Sequence, residues 1–548
     1  MPTDPAAELI ARLKRLHLLG TVDSLLGWDE QVNLPPKSAD LRAKQLALVA
    51  ELRHAADTEP RLGELISELE GRDRSGAAGG DMADMSAIKP DRPQVGTARP
   101  ALRHDLGRRS SSHGPQAERA AAPHPSTSDL TVILRYARRD YDRATKLPSD
   151  FVREKAEHGS RAYHAWAACR PKSDFAGFAP FLEKHLELAR REAAYLGKAD
   201  APYDYFIDQN DPGLTAAVIE RLFDELRAGL VPLVREITTS PVKAKPELLR
   251  GFPVDGQRIF LREVTERLGF DYGRGRIDVS LHPFCTGSGA DTRMTTRFNA
   301  DDPLTSLFSS IHETGHGLYE QGLPAADHGT ALGDAVGMAV HESQSRIWEN
   351  QVARGRAFWR FFEPRYRELF AEPLRAVTSE ALYLAVNEVA PTLIRTEADE
   401  VTYNLHIILR FELEKRLFAG TLAVDDLPAA WNALMQELLG LTPSDHRQGV
   451  LQDVHWSGGA FGYFPSYSLG NMIAAQLWYR ALADLPGLED DFARGEFSRL
   501  LAWLRGNIHE RGRRLDTLEL VPAVTGAPLS PQPLLRYLRE RYLPLYRR

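Results

Sequence analysis

Apolar residues recur at intervals of three and four along most of this chain, and this spacing constrains its fold more than any other feature of the sequence. In segment 214–237 the apolar stripe runs from Val218 through Leu226 to Leu233, and segment 405–417 has the same spacing. Residues spaced in this way lie on one side of an α-helix, and that side must pack against other helices. We therefore predict a mostly α-helical fold.

Alternation typical of β-strands is sparse. The best candidate is a short hairpin formed by 276–281 and 294–299, with the glycine-rich stretch 286–290 as its turn. No repeat of fixed period is visible, so the sequence favours one large helical protein with a single small β-hairpin over an α-solenoid.

Segment 71–130 differs from the rest of the chain. It contains no aromatic residue and only five residues of the types Leu, Ile, Val and Phe. Such a segment cannot bury enough apolar surface to offset the entropy lost on ordering. We predict a disordered insertion over 71–130, between a helical N-terminal region (1–70) and a larger helical region (131–548) that together form one domain.

Charge and composition exclude several classes of protein. The 75 acidic and 68 basic residues give a net charge of −7, which does not favour binding to nucleic acid. No stretch of about 18 apolar residues is present, so no membrane span is expected, and the first 20 residues lack the apolar core of a signal peptide. Cys169 and Cys285 are the only cysteines, which excludes a disulfide framework. We expect a soluble cytoplasmic protein without a nucleic-acid or membrane partner.

The strongest chemical signal is the run His312-Glu313-Thr314-Gly315-His316. Histidines four residues apart share one face of a helix, so both rings can reach one metal ion. Zinc suits imidazole nitrogen, and catalytic zinc sites use three protein ligands and keep one position for water. The metal lowers the pKa of that water to about 7. The carboxylate of Glu313 can then accept its proton.

The surrounding sequence places this run on a well-bounded helix. Asp302 and Pro303 have the pattern of an N-cap followed by proline at the first helical position. Gly322 and Pro324 are typical of a helix end. Gly315 is unfavourable inside a helix, which indicates that another backbone or a substrate approaches closely there.

A third ligand is required, and Glu342 is the best candidate. It lies in a second apolar-periodic helix, where an unpaired charge would be unfavourable. Asp327, His328 and Asp334 are alternatives, but they belong to the connecting loop. His341 is a candidate partner for the ligand imidazoles.

Several segments match sequence motifs of one known family. They are Trp28-Asp29 with Pro35-Pro36, Arg138–Tyr141, His282–Phe284 (H-P-F), Asp291–Thr295 (D-x-R-x-T), His312–His316, His341–Gln344, Ile394–Asp399 (I-R-x-x-A-D) and Gly449–Trp456 (G-x-x-Q-D-x-H-W). With these motifs the chain resembles the carboxypeptidase Taq family of metallocarboxypeptidases over nearly its whole length. Segment 71–130 is mostly extra relative to that family, and 208–213 departs from the acidic-Tyr-Glu run that the family more often has.

The resemblance implies a large helical peptidase with a deep central cleft, related to the angiotensin-converting-type and neurolysin-type folds. It also implies a homodimer that hydrolyses the carboxy-terminal bond of peptides with zinc or cobalt. Under this interpretation His312, His316 and Glu342 hold the metal, and Glu313 is the general base. His455, Tyr463 and Tyr467 are candidates for stabilising the oxyanion, with His455 and Tyr463 preferred as catalytic residues and Tyr467 assigned to substrate binding.

An enzyme that cuts at a free carboxyl end must recognise a carboxylate, and the planar guanidinium of arginine suits this task. Arg395 is the first choice, although a structural salt bridge to Glu397 and Asp399 is an equally good interpretation of it. The other candidates are Arg293, Arg297 and Arg410. Asp291 could bind a substrate amide or hold Arg293 in place, and His282 and Gln452 are further candidates for substrate binding. Cys285 lacks an activating partner in the sequence and is expected to serve in packing.

Two other functions remain open at this point. An oligopeptidase that cuts internal bonds would use the same metal helix. A helical binding protein with a degenerate metal site is the third hypothesis, and the intact Glu313 argues against it.

Overall fold

The computed structural model describes residues 4–76, 129–280 and 282–547, and within these ranges the chain is mostly helical. Twenty α-helices and three strands are present there. The helices are α1 (Pro5–Val32), α2 (Ala39–Asp57), α3 (Pro60–Gly76), α4 (Asp129–Lys146), α5 (Ser149–Cys169), α6 (Phe175–Tyr195), α7 (Pro202–Asn210), α8 (Ala216–Thr238), α9 (Val254–Leu268), α10 (Pro303–Glu320), α11 (Met338–Arg346), α12 (Arg356–Leu369), α13 (Ser379–Val386), α14 (Tyr403–Phe418), α15 (Leu427–Leu439), α16 (Phe464–Asp484), α17 (Leu488–Ala493), α18 (Ser498–Asn507), α19 (Thr517–Thr525) and α20 (Gln532–Tyr546). The predicted mostly helical class is confirmed. Its relation to the angiotensin-converting-type and neurolysin-type folds, with a deep cleft, stays a prediction.

The helices form where the apolar spacing predicts them. α8 covers the first predicted stripe and buries Leu222, Leu226 and Leu230, while α14 covers the second. α16 is buried on almost every side and packs against α11, α14 and α20, so it lies at the centre of the larger hydrophobic core. No helix in the described ranges combines the length and the hydropathy needed to cross a bilayer.

A smaller hydrophobic core joins the N-terminal helices to the start of the larger predicted region. It is formed by α1, α3 and α4, and Leu332 from the loop before α11 belongs to it. Leu69 of α3 and Val132 of α4 are both buried in it, and Arg138 donates to Glu70 between the two helices. The chain segments before and after 71–130 therefore share one core.

The predicted β-hairpin is partly wrong. The strands are β1 (Gly275–Val279), β2 (Cys285–Ser288) and β3 (Asp291–Thr296), in the order β1-β3-β2. The two segments expected to form the hairpin are β1 and β3, and they pair in parallel. The antiparallel hairpin is β2–β3, and β2 occupies most of the stretch assigned to the turn.

The error follows from Gly287. Its φ of 103° is in the region that favours glycine. A glycine is therefore required within strand β2, although glycine in a sequence more often indicates a turn. Asp291 approaches so closely that a Cβ at position 287 would meet its carbonyl oxygen. Leu281, the predicted end of the first strand, lies outside the described residues.

The ends of the predicted insertion are helical. α3 continues through Gly76 and α4 begins at Asp129, so 71–76 and 129–130 belong to helices that pack together. The remainder of the segment, 77–128, lies outside the described residues.

Deleting 77–128 and joining Gly76 to Asp129 by a short glycine-serine linker should change the melting temperature by less than about 3 °C, because the segment has few apolar residues to contribute to a core. Deleting all of 71–130 should lower it further. That deletion removes Leu130, which packs against the smaller core, and Asp129, which pairs with Arg514 at 2.9 Å. Thermal unfolding of both variants beside wild type is the measurement, and equal large losses would contradict the prediction.

Candidate metal centre

α10 presents two histidines beside a buried apolar face. The Asp302 side chain accepts from the backbone N–H of Thr305 and caps the helix, and Pro303 occupies its first turn, as predicted. Leu307, Phe308, Ile311 and Leu318 are buried on its apolar face. His312 and His316 lie one turn apart, and their ring centroids are 4.8 Å from each other.

α10 and α11 cross in backbone contact at Gly315. A Cβ at that position would lie 2.5 Å from Cα of Ser345 and closer still to the carbonyl oxygen of Gln344. No side chain fits in this space, so the glycine is required by the approach of α11. The sequence expectation of a close neighbour at Gly315 is confirmed.

The crossing brings Glu342 of α11 to both histidines. Oε2 of Glu342 lies 3.4 Å from Nε2 of His312 and 3.4 Å from Nε2 of His316. The potential ligand atoms of the three residues all lie within 4.8 Å of one another. Among the described residues, this is the one group of three or more His, Cys, Asp or Glu side chains whose spacing could hold a metal ion.

The outer nitrogens of both imidazoles are held by other side chains. Nδ1 of His312 lies 2.9 Å from Oε2 of Glu349, and Nδ1 of His316 lies 2.6 Å from Nδ1 of His341. His341 in turn contacts Oε1 of Glu320 at 2.9 Å. Partners of this kind fix ring orientation and leave Nε2 free to bind a metal. The donor set of two imidazole nitrogens and one carboxylate oxygen fits a divalent metal.

The helix that carries Glu349 changes its winding after α11. After α11 the chain continues as one π-helical segment, Ile347–Ala353, whose wider turns are frequent at functional sites. Glu349 lies in this segment and is 8% exposed.

Glu342 remains ionised although it is buried. Burial would raise the pKa of this carboxyl, but Arg346 and the neighbouring His312 hold it well below its usual range. Arg346 donates to Oε1 of Glu342 at 2.7 Å, which leaves Oε2 facing the histidines. α16 approaches from the other side at Gly470, where a Cβ would lie 2.5 Å from Cγ of Glu342. The ligand is therefore fixed by a charge partner and by close packing.

Glu313 lies on α10 between the two histidines and is 8% exposed. Burial raises the pKa of its carboxyl to about 7, and the nearby Glu342 and Glu349 carboxylates contribute to the increase. A carboxyl group that titrates near neutral pH can both accept and donate a proton.

The predicted oxyanion residues lie together. His455 begins the short 3-10 helix His455–Gly458, and its Nε2 lies 3.2 Å from the hydroxyl of Tyr467 on α16. The rings of Tyr463 and Tyr467 are 5.3 Å apart. Burial raises the pKa of Tyr463 to about 12, with a contribution from Glu342, and lowers the pKa of His455 to about 4. Both residues are therefore neutral at neutral pH, and the phenol of Tyr463 is a hydrogen-bond donor.

The loop that carries these residues is anchored by Glu414 of α14. This fully buried carboxylate accepts from Trp456 Nε1 at 2.7 Å, from the backbone N–H of Gly462 at 2.9 Å and from the hydroxyl of Tyr203 at 3.0 Å. Gly462 has a positive φ of 69° and lies against the backbone of Phe206. The conformation of the loop between His455 and Tyr463 is thus fixed by the hydrogen bonds to Glu414 and by the packing of Gly462 against Phe206.

Arg395 forms a salt bridge, but not with the acids expected from the sequence. Its Nε and Nη2 donate to Oδ1 of Asp453 at 3.0 and 2.9 Å, and Nη1 donates to Tyr403 at 3.0 Å. Asp399 instead accepts from Thr402. The expectation of a pair with Glu397 or Asp399 is wrong, because the turn at 395–397 directs the guanidinium toward the loop at 453.

Asp453 is shared by two arginines. Arg410, which is fully buried, donates from Nε to Oδ2 of Asp453 at 2.7 Å and from Nη1 to the carbonyl oxygen of His406 at 2.7 Å. Gln452 accepts from the backbone of Arg395 and from Arg410, and its amide donates to Leu393 and Gln448. The structure thus places Gln452 as a support for the two arginines. One carboxylate and two guanidiniums leave one positive charge uncompensated within this cluster.

Asp291 and Arg293 pair with each other on β3. Arg293 Nη2 donates to Oδ2 of Asp291 at 2.9 Å, and its guanidinium lies 4.2 Å from the centre of the Trp28 ring. Of the two alternatives for Asp291, this contact supports the one in which it holds Arg293 in place. His282 and Arg297 are exposed at their own positions near the sheet.

The alternative ligands lie apart from the three-residue group. Asp334 is 3.9 Å from Arg513 and Asp327 is 3.9 Å from Arg514, while the His328 ring lies near His17. Cys285 lies on β2, where burial, with Glu313 nearby, raises the pKa of its thiol well above the usual value. A thiol held neutral in this way is consistent with packing.

Sequence reasoning missed several residues of the site. Glu349 and Arg346 have no role in the sequence prediction, although charges at positions 342, 346 and 349 of one apolar helix share a face and must be paired. Asp453 stands in a quoted motif but received no role.

Asp211, which is 2% exposed, was also missed. It accepts from the backbone N–H of Ala339 at 2.7 Å and from Ser466 at 2.5 Å. It thereby caps α11 and ties it to α16. The sequence around Asp211, residues 208–213, contains no pattern that predicts this capping role.

Comparisons with known proteins agree with this geometry. The family described as carboxypeptidase Taq (M32) metallopeptidase matches residues 8–542. Thermostable carboxypeptidase 1 of Thermus thermophilus is 40% identical over 539 residues, which cover 96% of each chain. Carboxypeptidase 1 of Bacillus subtilis is 39% identical over 422 residues, which cover 77% of this chain and 84% of that protein. The crystal structure of the M32 carboxypeptidase from Deinococcus radiodurans R1 is 40% identical, has a TM-score of 0.86 and covers 99% of this chain and 100% of that one.

Replacing Gly315 with Ala should destabilise the protein by about 2–3 kcal/mol and weaken metal binding, because the new methyl group would force α10 away from α11. Gly159→Ala is a matched control, since this helical glycine has no atom within 4 Å of an added Cβ, and it should stabilise by up to about 1 kcal/mol. Urea unfolding and the bound metal content of both variants are the measurements. Equal effects of the two substitutions would contradict the crossing argument.

Proposed function

Since this chain belongs to the carboxypeptidase Taq (M32) family and is a metallocarboxypeptidase, we propose that it removes residues from the free carboxyl end of peptides by general-base hydrolysis at His312, His316 and Glu342. The observation that carries this proposal is the convergence of two Nε2 atoms on one carboxylate oxygen, beside a buried glutamate. The proposed metal is zinc, with cobalt as the alternative. When bound, a divalent metal supplies a Lewis acid and makes a water molecule more acidic.

Glu313 is the proposed general base. It takes the proton of the attacking water and later gives it to the leaving amine, and both steps require a pKa near neutrality. Burial of Glu313 raises the pKa of its carboxyl group to about 7. The carboxylates of Glu342 and Glu349 oppose its ionisation, while His312 favours it.

Tyr463 and His455 are the proposed donors to the tetrahedral oxyanion. Both are held neutral by burial, and the loop between them is anchored by Glu414. Preorganised donors stabilise developing negative charge without the need to reorient during the reaction. Tyr467 contacts His455 and is proposed to orient that ring or to contact the substrate.

The proposed site for the terminal carboxylate is the cluster of Arg395, Arg410 and Asp453. Its excess positive charge lies in a buried region, where a carboxylate is bound more strongly than in water. Arg410 is fully buried, while Arg395 is 6% exposed and lies 5.1 Å from the centre of the Tyr467 ring, so Arg395 is the proposed contact for the substrate carboxylate. Arg293 and His282 remain proposed substrate contacts at the sheet, with Asp291 proposed to hold Arg293 in place.

An oligopeptidase is the second candidate, because the metal group alone does not distinguish terminal from internal bonds. The charged Arg395 cluster favours the terminal carboxylate. A binding protein with an inactive site is disfavoured by the buried Glu313, which a structural metal site does not need. Peptides with a free carboxyl end as partners, a cytoplasmic location and a homodimeric assembly complete the proposal.

Removing the metal with a chelator should abolish activity, and adding zinc or cobalt should restore it.

Glu313→Gln should keep the metal but lower kcat by several orders of magnitude, because base and acid are removed together. Glu342→Gln should instead lower metal affinity. Metal content by mass spectrometry and steady-state kinetics separate the two roles. Loss of metal in the first variant with retention in the second would show that the roles are assigned wrongly.

A peptide with a free carboxyl end should be cut far faster than the same peptide with an amidated end, by about 2–5 kcal/mol in kcat/KM if the charge pair is buried. Arg395→Ala should reduce this discrimination. Arg293→Ala is the matched control, because Arg293 pairs with Asp291 at the sheet and should affect both peptides alike. Release of internal fragments from both peptides at similar rates would favour the oligopeptidase. Unchanged discrimination in Arg395→Ala would place the carboxylate site elsewhere.

A further inference from the structure

Two buried histidines lie beside the loop of His455, and the mechanism proposed above uses neither of them. They are His158 of α5 and His185 of α6. Their ring centroids are 4.4 Å apart, and their planes meet at 71°. A buried polar group is unfavourable unless it is hydrogen-bonded, so the partners of each ring indicate what the ring does.

The hydrogen bond of His185 fixes the position of its proton. Nε2 of this ring lies 3.0 Å from the carbonyl oxygen of Ser457. A carbonyl oxygen only accepts, so Nε2 carries the proton and donates it. Burial and the neighbouring His158 lower the pKa of His185 to about 4. The ring is therefore neutral at neutral pH, and its Nδ1 carries no proton.

The Nδ1 side of His185 lies against Gly459. This glycine follows the 3-10 helix His455–Gly458 and has a φ of 68°. A Cβ at position 459 would lie 2.8 Å from Nδ1 of His185. One imidazole therefore contacts the carbonyl group of Ser457 and also the turn that ends the 3-10 helix.

His158 and its helix support this arrangement. Nε2 of His158 donates to the carbonyl oxygen of Phe181, one turn before His185 on α6, at 2.9 Å. Trp166, also on α5, donates from Nε1 to the carbonyl oxygen of Leu451 at 3.0 Å. α5 thus holds both the helix that carries His185 and the segment that leads into the loop.

His185 and Glu414 hold different residues of the same loop. Glu414 accepts hydrogen bonds from residues 456 and 462, whereas His185 contacts residues 457 and 459. Both anchors come from helices outside the loop. The backbone after His455 is therefore held at successive points along its length.

The ring of His455 has few polar contacts of its own. Its Nε2 lies 3.2 Å from the hydroxyl of Tyr467. Its Nδ1 is buried and has no hydrogen-bond partner in the part of the chain that the structure describes. One hydrogen bond leaves an imidazole free to tilt, so the position of this ring depends strongly on the backbone that carries it.

We propose that His185 is a positioning residue, which fixes the backbone of the loop so that the His455 ring is held ready for the oxyanion, with His158 as its support. This inference rests on the proposed function, in which His455 is an oxyanion donor. Such a donor stabilises the transition state only when its position is fixed before the reaction. His185 does not touch the substrate in this arrangement, so it acts through His455.

The first test removes the hydrogen bond of His185 in the full-length, metal-loaded enzyme. His185→Leu has a similar volume and no donor, and it should lower kcat about 10- to 100-fold with KM and metal content unchanged. His185→Gln can place an amide N–H near the Ser457 carbonyl and should restore most of kcat. A kcat within about twofold of wild type in a folded His185→Leu variant would overturn the proposal.

A matched control separates positioning from general stability. Leu69→Ala truncates a buried side chain of the smaller core, between α3 and α4. It should lower the melting temperature and leave kcat unchanged. Circular dichroism and metal content show that each variant is folded. A loss of kcat in Leu69→Ala as large as that in His185→Leu would overturn the positioning role.

A double-substitution cycle shows whether His185 acts through His455. His455→Ala should lower kcat, and His185→Leu should then cost almost nothing further. Equal losses from His185→Leu in both backgrounds would overturn the proposal and assign His185 to stability. An unchanged kcat in His455→Ala would instead reject the oxyanion role of His455, which is the part of the proposed function on which the inference rests.

Gly459→Ala tests the second contact without altering either histidine. The added methyl group would displace the His185 ring and should lower kcat at least about tenfold. Gly440→Ala is the matched control, because Gly440 has a similar φ of 71° and no described atom lies within 4 Å of an added Cβ. It carries the same backbone strain and should leave kcat unchanged. Equal kcat values in the two glycine variants would overturn the proposal.

Discussion

The crossing of α10 and α11 at Gly315 is the contact on which the rest of the site depends. Because this position has no side chain, the backbone of residues 344–345 lies directly against α10. That distance allows the Glu342 carboxylate to reach Nε2 of both histidines. Asp211 caps α11, and Gly470 admits α16 against Glu342, so the crossing is held from two further directions.

Buried charge is balanced locally in two clusters. At the metal centre, Arg346 lies between Glu342 and Glu349, and the carboxylates face imidazoles on their other side. In the second cluster Asp453 lies between two guanidiniums. Isolated charges would be strongly unfavourable in such surroundings, so each cluster is stable only as a complete set. The first cluster prepares a site for a cation, and the second retains a positive charge suited to an anion.

Local sequence patterns were sufficient where one residue type has one structural meaning. The N-cap Asp302, the stripe of α10 and the histidines four residues apart all lie as their spacing predicts. The pattern failed at Gly287, because glycine occurs both in turns and in strands whose backbone needs a positive φ. It also failed for Arg395, because a salt bridge depends on which segments meet in space and not on which acids are nearest in sequence.

The sequence by itself determined the helical class, the metal-binding run and the carboxylate on a second helix, since these follow from periodicity, residue chemistry and the matched family motifs. Only the tertiary structure decided what surrounds them. Glu349 pairs with His312 where α10 packs against the segment that follows α11, and Asp453 joins two arginines from separate elements. Such partners are brought together by the packing of helices that are distant in the chain. No local pattern encodes those distances, because they arise from the whole core.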